Sequence, residues 1–473
     1  MDKNPSDEKQ ISARVQALVI EGNRLMEAGN GEGGKECFRK ALALIRDFGQ
    51  VLADRASQRQ KDGALEDAQK YSLWAASLLN NNFALPVAPN PKSEKHWRFT
   101  EKEAACLQAV RRAPDSPGAW TNLGVVLARM KREDEAERCY RTAIGLDKDH
   151  SGAYFNLSYI LLRRGSFEEG WRCLERRKSH GYLDNFFTFP RWNGEPLHGK
   201  SLIIGFEGGH GDMIQFCRYA SILKTMGAAK ISITCHPGLK TLFSTLPGVD
   251  EVLSFPEETD ASGWDFWTLP LSLPYHCKTR LENIPAPIPY LSADPARVDK
   301  WSQLLPLSGI RIGLVWKGNP RFENDLERSL PSLDVLAPLG AVEGARFVSL
   351  QKGEGENSAR LPPSGFHLVA LGESFCDFAD TAAVLSCLDL LISVDTGVAH
   401  LAGAMGKPCW LLLPDHLCDW RWLSGRTDSP WYPKGMRLFR QPPGGGWSQV
   451  IDEVVVSLVR FKKEWKDGNR PAW

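Results

Sequence analysis

The sequence predicts an α-helical repeat array in the N-terminal part of the chain, followed by two α/β lobes built on parallel sheets. A short motif recurs at a helical-repeat spacing before residue 180, and beyond residue 200 apolar strands alternate with glycine turns and helices. The chain has 473 residues, 42% apolar and 24% charged, which is enough for more than one packed domain.

The repeat array is predicted from an internal match. Residues 118–124, GAWTNLG, recur as residues 152–158, GAYFNLS, at an offset of 34 (152 minus 118), which is the tetratricopeptide period. Segments 134–144 and 167–177 supply the second helices. Their small residues let paired helices approach, and their aromatic residues fill the space between successive pairs.

A weaker unit at 21–42 and the second half of another at 58–79 extend the prediction to roughly four helix pairs, and we place the helical repeats at residues 1–182. An aromatic, linker-like segment follows at 183–199.

The first α/β lobe is predicted at residues 200–300. An apolar strand at 201–206 runs into a glycine turn at 207–212, and a helix at 213–224 and a strand at 231–235 follow. This order is typical of the start of a doubly wound domain.

The second lobe is predicted at residues 301–473, after a proline-rich connection at 284–289. Its strands are expected at 311–316, 347–350, 390–393 and 410–413, with a C-terminal helix at 447–465. Two such lobes place ligands in a cleft at the carboxyl ends of their strands.

Charge and cysteine content exclude several classes of protein. The net charge of +1 provides no general attraction to nucleic acid or to an anionic membrane. The charged N-terminus lacks the apolar core of a signal peptide, and no apolar run reaches the ~18 residues of a membrane span, so we expect a cytoplasmic protein. The 11 cysteines form no CxxC pair, and Cys409 and Cys418 around His416 are too widely spaced for a typical metal site.

The most specific signal is the segment Ser393–His400, SVDTGVAH, in which an apolar strand meets a small polar turn and a helix begins. Backbone N–H groups at a helix start bind phosphate. Thr396 and Gly397 are expected at that start, and His400 one turn later on the same face as Thr396. Alternatively, Asp395 is only an N-cap and His400 a packed core residue.

This segment resembles the nucleotide-sugar motif of bacterial glycosyltransferases related to ADP-heptose heptosyltransferases. From Gly205 to about Gln441, the chain is similar to the glycosyltransferase-like domain found behind tetratricopeptide repeats in many bacterial proteins. The other matching blocks are 313–320, 328–329, 419–422 and 429–433. The resemblance implies a GT-B fold, which consists of two Rossmann-like doubly wound lobes, with the acceptor on the first lobe and the nucleotide sugar on the second.

The resemblance also implies a catalytic base. Heptosyltransferase relatives use an Asp in the glycine turn after the first strand, and Asp212 falls at that position. A carboxylate there is suited to take the proton of an acceptor hydroxyl, although Asp212 could instead cap the following helix. Relatives commonly have Gln and Leu where Gly208 and His210 stand, so His210 is a candidate for acceptor recognition or for a second proton acceptor.

The donor site is expected to include residues that follow the first strand of the second lobe. Trp316, Gly318 and Asn319 should line the cleft, and Lys317, Arg321 and Arg328 are candidate cations for the leaving phosphate, although Lys317 and Arg321 could equally belong to a solvated loop. Asp395 could accept hydrogen bonds from sugar hydroxyls.

No Asp-x-Asp motif occurs in the α/β part, and its absence fits a metal-independent reaction. We also expect the transfer to be inverting, with Asp212 as its base, and to need no cofactor besides the nucleotide-sugar substrate. Asn122 and Asn156 occupy the same repeat position. In repeat-bearing O-GlcNAc transferases, similar asparagines grip a peptide backbone, whereas the alternative is that Asn merely suits the helix surface.

These observations predict an enzyme that moves a sugar from a nucleotide-sugar donor to a Ser/Thr hydroxyl of a protein docked by the repeats. Flagellin or another surface protein is the acceptor that the resemblance suggests. Two alternatives remain: heptosyltransferase-like transfer to a lipopolysaccharide-type glycan, and a binding scaffold with an inactive transferase domain. The sequence names neither sugar, nucleotide, acceptor nor oligomeric state.

Overall fold

The computed structural model describes residues 91–177, 186–255, 263–433 and 435–466, with isolated positions between 21 and 40. The weaker repeat units predicted at 21–42 and 58–79 therefore lie almost entirely outside the described residues. The chain divides into two compact units, Met1–Arg98 and Phe99–Trp473, so the repeats from Phe99 onward share one unit with both lobes.

The repeat region consists of antiparallel helix pairs. Ser116 caps the first paired helix by accepting the Ala119 N–H at 3.3 Å, and Pro117 begins that helix. Gly124 permits close packing because a Cβ on it would lie 2.5 Å from the Tyr140 ring. From residue 91 onward, the helices are α1 (Pro91–Arg112), α2 (Pro117–Arg129), α3 (Glu133–Leu146), α4 (Ser151–Arg163) and α5 (Phe167–Leu174).

The N-terminal lobe is a parallel four-stranded sheet in the order β3-β2-β1-β4. Its strands are β1 (Ser201–Ile204), β2 (Lys230–Cys235), β3 (Glu251–Ser254) and β4 (Phe266–Thr268), and its helices are α6 (His210–Phe216), α7 (Tyr219–Thr225), α8 (Pro237–Phe243) and α9 (Leu273–His276). The single helix predicted at 213–224 is wrong: α6 and α7 are separate. Between them, the buried Arg218 donates to the Pro285 and Trp431 carbonyls.

The C-terminal lobe is a parallel six-stranded sheet in the order β10-β9-β8-β5-β6-β7. Its strands are β5 (Ile310–Val315), β6 (Ala345–Ser349), β7 (Leu368–Ala370), β8 (Leu390–Val394), β9 (Cys409–Leu413) and β10 (Met436–Arg440). Its helices are α10 (Pro295–Ser302), α11 (Asp325–Arg328), α12 (Phe378–Ser386), α13 (Gly397–Ala404) and α14 (Ser448–Lys466). Strand order reverses between β8 and β5, and this is where such sheets open a crevice for ligands.

The last repeat packs directly on the lobes. Phe167 and Trp171 of α5 are buried against Trp420 and Trp431 of the C-terminal lobe, with ring centroids 5.3 Å apart for Trp171–Trp420 and 6.0 Å for Phe167–Trp431. The Trp171 indole also donates to the Thr279 carbonyl at 3.0 Å. Burial of these large aromatic rings packs the last repeat and the C-terminal lobe into one continuous core.

The predicted linker at 183–199 is packed rather than free where the structure describes it. Trp192 is fully buried, and its N–H donates to the Trp267 carbonyl of β4 at 2.7 Å. The predicted lobe boundary at residue 300 also cuts through α10, which already packs on the second lobe because Trp301 donates to Asp380 at 3.0 Å. Across the described ranges, no helix combines the length and apolarity that crossing a membrane requires.

Candidate active site at the junction of the two lobes and the repeats

The N-terminal lobe presents its glycine turn at the switch point between β1 and β4. Gly208 has φ +74, and a Cβ on it would lie 2.5 Å from Asp212 Oδ2, so only glycine fits. Glu207 is held below the turn, where it accepts from Arg177 of the repeat region at 2.7 Å and from the Leu271 N–H at 3.3 Å. Arg177 of the repeat region therefore holds Glu207, the first residue of the glycine turn, in place.

Asp212 lies in the first turn of α6, and its side chain is 25% exposed. Oδ2 accepts the Gly209 N–H at 2.7 Å, so Asp212 does stabilise a helix start, but as the third residue of α6, which begins at His210, rather than as the cap of a helix beginning at Met213. Oδ1 pairs with Arg421, which comes from the opposite lobe. Capping and pairing hold the carboxylate in one orientation at the lobe junction.

Arg421 is the functional residue that sequence reasoning missed. It was noticed only within a block that matched the family, and no role was assigned to it. Its guanidinium donates to Gln215 Oε1 at 2.5 Å and to both oxygens of Asp419 at 3.0 Å. Burial opposes the charge of Arg421, but Asp419 and Asp212 raise its pKa. Arg421 thus links the two carboxylates across the lobe junction.

The second turn follows β8 and begins α13. Gly397 meets the glycine turn of the other lobe, because a Cβ on it would lie 3.5 Å from the Gly211 N. The Thr396 hydroxyl lies 3.1 Å from Ser393 Oγ. His400 is buried, its Nδ1 lies 2.8 Å from the Tyr432 hydroxyl, and burial holds its pKa well below the usual value. The structure therefore places the predicted helix start against the predicted base-bearing turn.

Asp395 differs from Asp212 in its surroundings. Burial, together with the nearby charge of Asp419, raises the pKa of Asp395 to about 6. Its Oδ1 lies 3.8 Å from His400 Nε2, and His400 is neutral near pH 7 because its pKa is lowered.

His210 belongs to a row of stacked rings. Its imidazole lies 4.1 Å from the ring of His236 and 5.0 Å from that of Phe378 on the opposite lobe. Burial, and to a smaller extent His236, lowers the pKa of His210 to about 4. His210 is therefore an uncharged packing contact between the lobes near pH 7.

The loop after β5 is anchored by a residue that the sequence did not single out. The buried Gln351 accepts the N–H groups of Trp316 and Lys317, each at 2.9 Å. The expectation that Trp316 lines the cleft is wrong: the side chain is fully buried in the core of the second lobe because it follows directly on the inward-facing residues of β5.

Beyond Lys317, the loop folds back on itself. The Gly318 N–H donates to Ser329 Oγ at 2.8 Å, and Asn319 Oδ1 accepts the Arg321 N–H at 3.0 Å. Arg328 pairs with Asp325 at 3.0 Å, and its guanidinium lies 4.5 Å from the centre of the Phe322 ring. Of the candidate cations, Arg328 faces the adjacent cavity.

A cavity of about 610 Å³ lies between repeat helix α4 and the carboxyl edge of the C-terminal lobe. It brings together three of the predicted residues, Asp395, Arg328 and Asn156. Asp419 also lines it, so Asp212 is connected to the cavity wall through the shared Arg421. This volume is typical of a small-molecule site.

The two repeat asparagines are not equivalent. The Asn156 amide donates to the Gly152 carbonyl of its own helix at 2.9 Å and borders the cavity, whereas Asn122 is exposed and does not. Within the part of the chain that the structure describes, no three His, Cys, Asp or Glu side chains are grouped to hold a metal ion. Metal independence stays a prediction.

Comparisons with known proteins agree with this architecture. Residues 117–150 match the tetratricopeptide repeat, and residues 373–411, which contain the β8 turn, match glycosyltransferase family 9 (heptosyltransferase). Protein FlbA of Caulobacter vibrioides is 29% identical over 298 residues, covering 57% of this chain and 48% of FlbA. The chain therefore spans about half the length of this curated relative.

Solved structures with a similar arrangement include a glycosyl transferase of family 9 from Veillonella parvula (13% identity, TM-score 0.44, 58% of this chain and 100% of that one). The E. coli ADP-heptose lps heptosyltransferase II is 15% identical, with a TM-score of 0.40, and covers 56% of this chain and 99% of its own. At these values the likenesses carry no information about substrate. The chain is thus similar to tetratricopeptide-repeat proteins over residues 117–150 and to glycosyltransferase family 9 (heptosyltransferase) over residues 373–411, and its two parallel sheets agree with the two α/β lobes that the sequence predicts.

Proposed function

We propose that this chain transfers a sugar from a nucleotide-sugar donor to a Ser/Thr hydroxyl of a protein held by the repeats. The observation that carries the proposal is the cavity between α4 and the C-terminal lobe, because the repeats and the donor-side residues Asp395 and Arg328 border the same space. An acceptor bound along the repeats would thus reach the reacting sugar directly.

In the proposed reaction, the acceptor oxygen attacks the anomeric carbon and the bond from that carbon to the diphosphate breaks. The nucleoside diphosphate leaves with the electron pair, and Asp212 takes the hydroxyl proton. A single displacement of this kind inverts the anomeric configuration. We assign Asp212 because it lies at the junction and is oriented by Arg421 and the Gly209 N–H.

The donor diphosphate is assigned to the start of α13, at Thr396 and Gly397, because the backbone N–H groups at the start of a helix favour an anion. Arg328, which lines the adjacent cavity, supplies positive charge, and Asp395 accepts from sugar hydroxyls. In this assignment His400 supports the turn as a neutral residue, since burial lowers its pKa.

The first test is a thermal-shift screen of the full chain against UDP-, GDP-, ADP- and dTDP-sugars. A donor that binds the native state raises the melting temperature in proportion to its saturation. The parent should respond to one nucleotide class, and Thr396→Val should weaken that response. A parent that responds to no nucleotide sugar would favour the inactive scaffold.

The acceptor is tested by mass spectrometry after incubation with the identified donor. Purified flagellin or another surface protein should gain the mass of one or more sugars, and Asn122→Ala should reduce this gain without changing donor binding. Sugar appearing only on a lipopolysaccharide-type glycan would support the heptosyltransferase-like alternative. A chain beginning near Arg191 is unsuitable here, because it would strip the last repeat from Trp420 and Trp431.

A further inference from the structure

The repeat side of the cavity is aromatic. Phe155 and Tyr159 lie four residues apart on α4, with ring centroids 5.0 Å apart, and both line the cavity. Phe155 is 38% exposed, although it belongs to a repeat whose other large apolar residues, such as Leu157 and Leu161, are buried. An aromatic pair left open toward a cavity provides flat surface for a ligand.

The opposite side of the cavity carries carboxylates and an aromatic ring beside the cations Arg328 and Arg440. Asp395 and Asp419 line it at the carboxyl edge of the C-terminal sheet, and Phe322 lines it from the loop after β5. A ligand between these sides meets carboxylate acceptors on one side and ring faces on the other.

Tyr159 is chemically equipped to act as a donor. Burial raises its pKa, and the charge of Asp419 adds to this effect, so the phenol stays protonated. Among the described residues, the Tyr159 hydroxyl makes no hydrogen bond, while the ring packs beside Phe155. Tyr159 is half-buried and lines the cavity, so its hydroxyl is available to an acceptor group of a ligand in that space.

A sugar matches this combination. Its ring presents C–H groups on its faces, which pack on aromatic surfaces, and hydroxyl groups around its edge, which donate to carboxylates and accept from a phenol. A peptide backbone would instead use donors and acceptors along an extended groove, such as the amide of Asn122 offers on the exposed repeat surface.

We propose that α4 of the second repeat forms one wall of the sugar subsite, with the transferred sugar between Phe155 and Tyr159 on one side and Asp395 and Asp419 on the other. This inference rests on the proposed function. It gives the repeats a second role, because they select the sugar in addition to docking the acceptor.

Tyr159→Phe tests the proposal, and Tyr154→Phe is the matched control. The control makes the same chemical change on the same helix, but Tyr154 packs against Arg176 and does not line the cavity. Isothermal titration calorimetry on the full chain would measure Kd for the nucleotide sugar found in the donor screen and for the matching nucleoside diphosphate.

Loss of one hydrogen bond, worth about 0.5–1.5 kcal/mol, should weaken nucleotide-sugar binding by Tyr159→Phe about 2- to 13-fold. Binding of the nucleoside diphosphate should stay unchanged, as should both affinities in Tyr154→Phe. Equal weakening of both ligands would place the nucleotide rather than the sugar at α4 and overturn the proposal. Parental affinity for the nucleotide sugar in Tyr159→Phe would overturn it while leaving the proposed function standing. If the parent binds no nucleotide sugar, the proposed function fails first and the inference fails with it.

Discussion

The two turns that meet at the lobe junction have the same local structure, but their carboxylates have different charged neighbours. Each follows a buried parallel strand at the switch point of its sheet and begins a helix, and the two approach closely. A Cβ on Gly211 would lie 2.9 Å from His400 Cδ2. Asp212 in the first turn is paired with an arginine, whereas burial and Asp419 raise the pKa of Asp395 in the second turn to about 6.

This difference shows that the strand, the turn and the helix determine where a carboxylate lies, but not which charged groups surround it. The charge partner arrives from elsewhere in the chain: Arg421 is 209 residues from Asp212 in sequence. We therefore expect Asp395 in the second turn to gain a proton in mild acid, whereas the first turn holds its carboxylate in a pair with Arg421. The following predictions test this contrast.

The largest effect should come from Asp212→Asn. The amide preserves the cap to Gly209 but takes no proton, so turnover should fall by ~10²–10⁴-fold while donor Kd changes little. Turnover with the identified donor and acceptor measures this, and excess chelator should leave the parental rate unchanged.

Asp265→Asn is the control for Asp212→Asn, because Asp265 is a carboxylate of the same lobe that pairs with Lys200 away from the junction. Near-parental turnover of Asp212→Asn would assign the base to another residue. A collapse of donor affinity would instead place Asp212 in the binding site.

Replacing the bridging arginine should have the next largest effect. Arg421→Met leaves Asp212 and Asp419 without their shared cation, and breaking a buried pair costs about 3–5 kcal/mol. Urea denaturation measures the free energy of unfolding. Arg426→Met is the control, since its pair with Asp428 is exposed and should contribute less than about 1 kcal/mol. Equal losses in both variants would show that Arg421 does not connect the lobes as described.

Much of the site could be predicted from sequence because its framework is local. The strands before both turns, the glycines of the first turn and the helix start at Thr396 follow from apolar runs and turn residues. The switch-point position then brings the two turns to the cleft.

Other features could not be predicted because they depend on contacts between distant segments. Gln351 anchors the loop after β5 from the neighbouring strand, and Arg421 reaches into the other lobe. A strand as short as β7, with three residues, contains too few alternating apolar and polar positions to be recognised from the sequence. The cleft position of Trp316 was predicted wrongly, because an apolar strand pattern does not show where inward-facing positions end.

Asp395→Asn should change the pH dependence of stability. A carboxyl whose pKa is raised from 3.8 to about 6 on folding binds its proton more tightly in the native state, so the parent loses stability as pH rises from about 4 to 6. The variant lacks this loss. It should match the parent near pH 4 and exceed it by on the order of 1–3 kcal/mol at pH 7.5.

Thermal unfolding of both proteins between pH 4 and 8 measures the difference. Asp389→Asn, at the opposite end of the same strand, is the control. Parallel curves for Asp395→Asn and the parent would show that folding does not raise the pKa of Asp395.

The smallest effect should come from His210→Phe, which tests whether the first turn contains a second base. The phenyl ring preserves the stacking on His236 and Phe378, and His210 with a pKa of about 4 is a weak base, so turnover should fall less than about fivefold. Because its pKa is lowered on folding, His210 destabilises the parent as pH falls from about 6.5 toward 4, and the variant should resist this acid destabilisation.

His210→Ala removes the ring that stacks between His236 and Phe378, so it should lose more stability than His210→Phe at pH 7.5. His210 and His236 are both neutral in the parent at that pH, so the comparison measures packing alone. If His210→Phe reduced turnover as severely as Asp212→Asn, the proton would pass through the imidazole, and Asp212 would orient the turn rather than act as its base.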